Sequence, residues 1–291
     1  FRKCVPTAIL HWKFHIIRLR YALIWKLFLT LCQNLLSADF RHNMTLSQRI
    51  WSVMHKAGSN FKCSTSPVSP IYGLAGFVML VSELWKQWTL TYAINNGHYI
   101  WWYLPFQLCS IPMYICLTLG ILFLLSCYTD SSACRTTYCH ISSRLQSFLM
   151  DFGLLGGIFA FFDTSGMHYG YLPLTIHSYA WHILLITLGF ISGLDHRTDH
   201  TKKGLQFSVY LYLGCCLIAT VLNLTLYPLG TINMFYISPH YTMQQKVFCQ
   251  IAKALGNGWG IGSYIAMSVV GAGVLHKGWN LLYRRHSPVL L

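Results

Sequence analysis

One run of residues restricts the fold of this chain more than any other feature. Residues 99–126 read YIWWYLPFQLCSIPMYICLTLGILFLLS and carry no formal charge. A helix rises about 1.5 Å per residue, so about 20 apolar residues cross a hydrocarbon core about 30 Å thick. The run is long enough to span a bilayer. It also holds Pro105, Pro112, Gln107 and Cys109. Proline and amide groups within a membrane helix need neighbouring helices or water to satisfy the polar atoms they leave behind. The expected element is therefore an inner helix lining a polar cavity.

Composition places the rest of the chain in the same class. Only 10% of the 291 residues are charged and 54% are hydrophobic, against about 25% charged in soluble domains. Further apolar segments at 71–88, 145–162, 174–194, 205–226 and 259–282 predict an all-α, multi-pass transmembrane helix bundle of six spans. Residues 14–36 would be a seventh. His15, Arg18, Arg20 and Lys26 interrupt that segment, and each buried Lys or Arg costs about 2.5–3.5 kcal/mol on insertion scales. An interfacial helix is the bland alternative there. The organisation expected is a basic N-terminal segment at 1–67, a helical membrane domain at 68–283 and a short tail at 284–291. The chain begins at Phe1 and its first methionine is Met44, as in a fragment or a reading frame opened too early. No small-residue cleavage site follows the first apolar run, so no signal peptide is expected.

The chain has 21 Lys and Arg against 7 Asp and Glu. Excess base beside membrane spans marks cytoplasmic loops and contact with anionic headgroups. No basic cluster is interleaved with a recognition motif, which excludes a nucleic-acid reader. Membrane lipids are the expected partners. The loops at one end carry Arg135, Arg144, Arg197, Lys202, Lys203, Lys277, Arg284 and Arg285, against Lys86, Lys246 and Lys253 at the other. That asymmetry predicts a cell-membrane protein whose N-terminus is cytoplasmic if the spans number six. The eleven cysteines lie mostly in apolar runs, where cysteine behaves as a small hydrophobe. No spacing is that of a strong zinc site, and neither metal nor cofactor is expected. His196 and His200, with Asp195 and Asp199, have metal-like spacing but sit in a charged turn that reads as a solvated face.

With this topology, the segments holding Cys109 and His182 both start from the outer face. Each residue lies about eight positions in, or about 12 Å deep. Glu83, Gln107, His177 and Asn223 fall at similar depth. A thiol beside an imidazole is the minimum for nucleophilic acyl transfer, because the base raises the thiolate fraction. Cys109 is the candidate nucleophile and His182 the candidate base, in direct contact or through one water. Gln107 or Asn223 could donate to a developing oxyanion. Glu83 or Ser178 could orient His182. Glu83, the sole glutamate in the chain, has a simpler reading as an ion pair with Lys86 one turn on. A transporter binding a polar solute at Glu83, Gln107 and Asn223 is the rival function.

Several segments resemble one family. Leu104-Pro105-Phe106-Gln107-Leu108-Cys109 resembles the LP-x-x-LC segment of the YwaF family of bacterial integral membrane proteins. That family is similar to animal transmembrane protein 164, a cysteine-dependent phospholipid acyltransferase. Glu83-Leu84-Trp85-Lys86 looks like the family's E-x-x-K, and the segment from His177 to His182 looks like its histidine helix. Asn233-Met234-Phe235-Tyr236-Ile237 looks like its N-x-M-Y loop. Many members have histidine where this chain has Gln107. The resemblance implies Cys109 as nucleophile and His182 as base, with lipid as substrate, and adds Asn233 to the supporting residues.

Overall fold

The computed structural model describes residues 69–129 and 131–286, with side chains through residue 282. The segment at 14–36 lies outside the described residues. Every regular element among them is helical. In chain order these are α1 (Pro70–Trp88), α2 (Ile111–Tyr128), α3 (Ser132–Phe148), α4 (Leu154–Ala160), α5 (Leu172–Leu194), α6 (Lys202–Leu226), α7 (Lys246–Leu255) and α8 (Asn257–His286). A π-helical turn, Leu149–Gly153, joins α3 to α4 without a break.

Four segments are long and apolar enough to cross a membrane: Ile111–Tyr128, Leu172–Leu194, Lys202–Leu229 and Asn257–Leu282. Their apolar residues face outward as well as inward. Leu217 is 67% exposed and Val274 66%. Contiguous apolar surface of this kind is costly in water and natural against lipid. The described residues are all-helical, and the four apolar helices suggest a membrane protein.

The long run at 99–126 is not one helix. Residues 99–110 form an irregular approach with a 3₁₀ turn at Trp101–Tyr103, and α2 starts only at Ile111. Proline is the reason. Pro112 suits the first helical turn, where no intrahelical N–H is needed. Pro105 drives Leu104 into an extended conformation, φ −51° and ψ 129°. Cys109 therefore sits two residues before the helix rather than eight residues within it.

The polar stretch 128–144, which lies between two of the apolar segments, is helical from Ser132. The Ser131 hydroxyl caps it by accepting from the Cys134 N–H at 3.4 Å. Its inner face, Ser142, Leu145 and Gln146, is buried, with α6 packed against it. The loop 227–257 likewise contains a helix, α7. Phe248 and Ala252 press onto α8, with Phe248 edge-on to Tyr264 at 5.4 Å. Short amphipathic helices of this kind give little hydropathy signal over a spanning-length window.

The α1–α2 contact depends on paired glycines. A Cβ on Gly73 would stand 2.7 Å from the Gly120 Cα, and one on Gly120 would stand equally close to Gly73. Small residues at a crossing let two backbones touch. After residue 145, Gly157 plays the same part, its Cβ position lying 2.9 Å from Ile186. Gly153 and Gly156 have ordinary clearance. Gly73→Leu should force α1 off α2 and lower stability by about 1–3 kcal/mol. A thermal unfolding series in detergent, with an outward-facing control such as Phe77→Leu left near wild type, checks this.

Candidate functional site

Helix α1 brings Glu83 and Lys86 into the site. Glu83 is 3% exposed, and both of its carboxylate oxygens are held. The Lys86 ammonium lies 2.7 Å from Oε2. The Gln87 amide donates to Oε1 at 2.7 Å and to the Tyr103 carbonyl at 2.6 Å. The intrahelical pair is thus the reading that holds. A buried carboxylate persists only when paired and hydrogen-bonded. Through Gln87 the pair also anchors the approach to α2.

Helix α5 supplies the imidazoles. His182 Nδ1 lies 2.7 Å from the Ser178 carbonyl. A carbonyl only accepts, so Nδ1 carries the hydrogen and a neutral ring has its lone pair on Nε2. The orienting partner is the Ser178 backbone, neither Glu83 nor the Ser178 hydroxyl. Nε2 has no hydrogen-bond partner among the described residues. His177 stands between Trp85 and Trp181, with ring centroids 5.7 Å and 5.6 Å away. Its Nε2 is buried without a partner.

Cys109 is fastened to α5. The Trp181 indole N–H donates to the Cys109 carbonyl at 3.0 Å, across 72 residues of chain. This bond sets the thiol-bearing residue beside the turn that carries His182. The Gln87–Tyr103 and Trp181–Cys109 bonds together join α1, α5 and the α2 approach in one cluster. Burial pushes the Cys109 thiol up, Lys86 pulls it down and Glu83 pushes it up again, burial being largest. The resting group is a thiol, not a thiolate.

The three amides have a different task from the one expected. The Gln107 side chain donates to the Asn233 carbonyl at 3.0 Å and accepts from the Phe235 N–H at 2.7 Å. The Asn223 side chain donates to the Met234 carbonyl at 3.0 Å and accepts from its N–H at 2.6 Å. The Asn233 side chain accepts from the Ser238 N–H at 3.0 Å. Gln107 and Asn223 are thus committed to the 233–238 loop rather than offered to an oxyanion or a solute. Their amides copy the peptide pairing of a strand edge, which satisfies a buried loop that cannot reach water.

The clamped loop holds an uncommon backbone. Phe235 and Tyr236 have φ of 57° and 58°, a left-handed conformation that costs a non-glycine residue about 1–2 kcal/mol. The turn buries Phe235 completely, and Tyr236 stands edge-on to Trp102 at 6.3 Å. Burial pushes the Tyr236 hydroxyl up to about 12, with Cys109 adding to it. Tyr169 is raised in the same way and also feels Cys109 and Tyr236. Both phenols stay protonated and can donate. Neither tyrosine, nor Trp181, has a local sequence signal. Only their placement marks them.

His196 and His200 do not share a site. The His196 side chain is 80% exposed, whereas His200 is 8% exposed and bonded to backbone carbonyls. The turn is therefore not a uniformly solvated face.

Gln107→Leu and Asn223→Leu should each destabilise by about 1–3 kcal/mol, because each leaves buried backbone groups of the 233–238 loop without partners. Urea or thermal denaturation in detergent measures this. Alkylation of Cys109 should be slow at neutral pH and quicken by about tenfold per pH unit up to its raised titration point, as timed iodoacetamide labelling will show. No family model, no curated protein and no solved structure matches this chain.

Proposed function

We propose that this chain is a multi-pass membrane enzyme that transfers or hydrolyses lipid acyl groups, with Cys109 as nucleophile and His182 as base. The observation that carries the reading is the Trp181–Cys109 bond together with the tautomer of His182. One fixes the cysteine beside α5, and the other leaves a base lone pair on Nε2. The chemistry suits a resting thiol. As the Cys109 sulfur bonds to the acyl carbonyl carbon, its proton moves to His182 Nε2, which places the sulfur and Nε2 within contact or one water of each other. The C–O bond to the departing alcohol then breaks, and the imidazolium returns the proton to that oxygen. A second alcohol or water attacks the thioester and regenerates the thiol. The Tyr236 or Tyr169 hydroxyl, rather than Gln107 or Asn223, is the better oxyanion donor, since each is protonated and near the thiol.

On this reading the protein has six or seven spans, an N-terminus in the cytoplasm if they number six, and a site in the outer half of the membrane. A lipid substrate agrees with the apolar surface around α1, where Leu74, Phe77 and Leu84 are exposed. The rival reading, a transporter using Glu83, Gln107 and Asn223, has less behind it. Each of those polar groups already has protein partners.

The test is capture of the acyl intermediate. Protein in vesicles of phospholipid with a labelled acyl chain should accumulate a hydroxylamine-sensitive label. Cys109→Ser should abolish that thioester. His182→Gln should slow its formation by about 100-fold or more. Absence of any thioester in folded wild type overturns the proposal.

A further inference from the structure

A second polar cluster lies at the other end of α5, away from Cys109. Asp151 is fully buried in the π-helical turn, and His276 of α8 is 4% exposed. His276 Nδ1 lies 3.1 Å from both carboxylate oxygens of Asp151. Its Nε2 faces the His200 carbonyl at 3.2 Å and the Thr201 carbonyl at 3.0 Å. Carbonyl oxygens only accept, so Nε2 must carry a hydrogen. With that hydrogen placed, a neutral ring would turn a lone pair at Nδ1 toward a carboxylate that offers only lone pairs. The geometry requires one more proton between Nδ1 and Asp151, on either the ring or the carboxyl. With it the pair is uncharged overall. Without it a lone negative charge is left buried, at a cost of several kcal/mol.

His200 repeats the pattern. Its Nδ1 lies 2.9 Å from the Thr198 carbonyl and its Nε2 lies 3.0 Å from the Gly193 carbonyl. A neutral ring can satisfy one of these, and an imidazolium satisfies both. The surroundings hold the cluster in place. The Asn280 amide donates to the His200 carbonyl at 2.9 Å, and the Thr198 hydroxyl contacts the Ser192 carbonyl at 2.6 Å. Ser208 of α6 lies beside Asp151. Arg197 of the same turn is taken up by Asp195, at 2.9 Å and 3.0 Å. The titratable groups facing His276 among the described residues are thus Asp151 from the π turn and His200 from the 195–201 turn.

We propose that Asp151 and His276 form a buried proton-binding site that, through the His200 and Thr201 carbonyls, fastens the 195–201 turn and α8 to the π turn. The ligand is a proton taken from water, which gains a bond to an imidazole nitrogen or a carboxylate oxygen. No electrons are exchanged. Loss of the proton breaks the contacts at Nδ1 or Nε2 and loosens three elements together. The π turn belongs to the device. One extra residue in the turn rotates Asp151 inward, and such turns recur at functional sites. This inference does not rest on the acyl-transfer reading.

Two measurements on the full-length protein in detergent test it. The first is spectroscopy of the wild type at about pH 8, above the ordinary imidazole value of about 6.5. His276 should show both ring nitrogens protonated in ¹⁵N NMR, or Asp151 should show the infrared carbonyl band of a neutral acid. A neutral His276 beside an ionised Asp151 in folded protein overturns the proposal. The second is the pH dependence of thermal unfolding. The wild type should lose stability as pH rises above the ordinary imidazole value of about 6.5, as the site empties. Asp151→Asn supplies an N–H donor toward Nδ1 without an added proton, so it should flatten that slope. An unchanged slope in Asp151→Asn overturns the proposal. Should that variant fail to fold, the spectroscopic result on the wild type decides alone.

Discussion

The touching backbones of α1 and α2 govern where everything around Cys109 can lie. With Gly73 against Gly120, no side chain separates the two helices at the crossing. The same face of α1, followed toward Trp88, then carries Glu83, Lys86 and Gln87 against the irregular approach to α2. Gln87 bonds to Tyr103, Gln107 holds the 233–238 loop, and Cys109 is tied to Trp181. A wider crossing would move one side of each of these bonds. In a low-dielectric interior none of the stranded groups could fall back on water.

The interior is organised by that same demand for partners. Two amides, Gln107 and Asn223, stand in for backbone and let a loop with two left-handed residues sit buried. Two histidines at the opposite end do comparable work for the turn between α5 and α6, with the difference that their bonds need protons. Among the described residues, the Cys109 cluster leaves Nε2 of both His177 and His182 without a partner. The Asp151 cluster leaves no nitrogen of His200 or His276 without one. Unused hydrogen-bonding capacity is the mark of a site awaiting a ligand, and complete use is the mark of a tie between elements.

Much of the architecture was legible from local pattern. The bounds of α1, α5, α6 and α8 follow the apolar segments closely, because each is a long run, with Pro or Thr at the start of the first three. The break in the 99–126 run was legible in principle, as Pro105 and Pro112 both disfavour a continuous helix, yet its overall hydropathy hid the break. The helicity of Ser132–Phe148 and of Lys246–Leu255 was not legible from hydropathy. Their polar residues are half solvated, and their apolar residues have meaning only against α6 and α8. At the site, Cys109, His182, Glu83 and Lys86 were visible as unusual residue types in apolar surroundings. Tyr236, Tyr169 and Trp181 were not, since aromatic residues crowd the ends of every span.

Sequence alone determined the class of this protein. Few charges and apolar runs of spanning length leave a chain no way to bury its backbone except as helices. It also determined the Glu83–Lys86 pair, since a helix places residues three apart on one face. Tertiary structure alone decided which polar groups act as ties and which stay open. A glutamine, an asparagine or a histidine has the same capacity wherever it stands. Its role depends on whether a carbonyl from a distant part of the chain reaches it first, as happens for Gln107, Asn223, His200 and His276 but not for His182 Nε2.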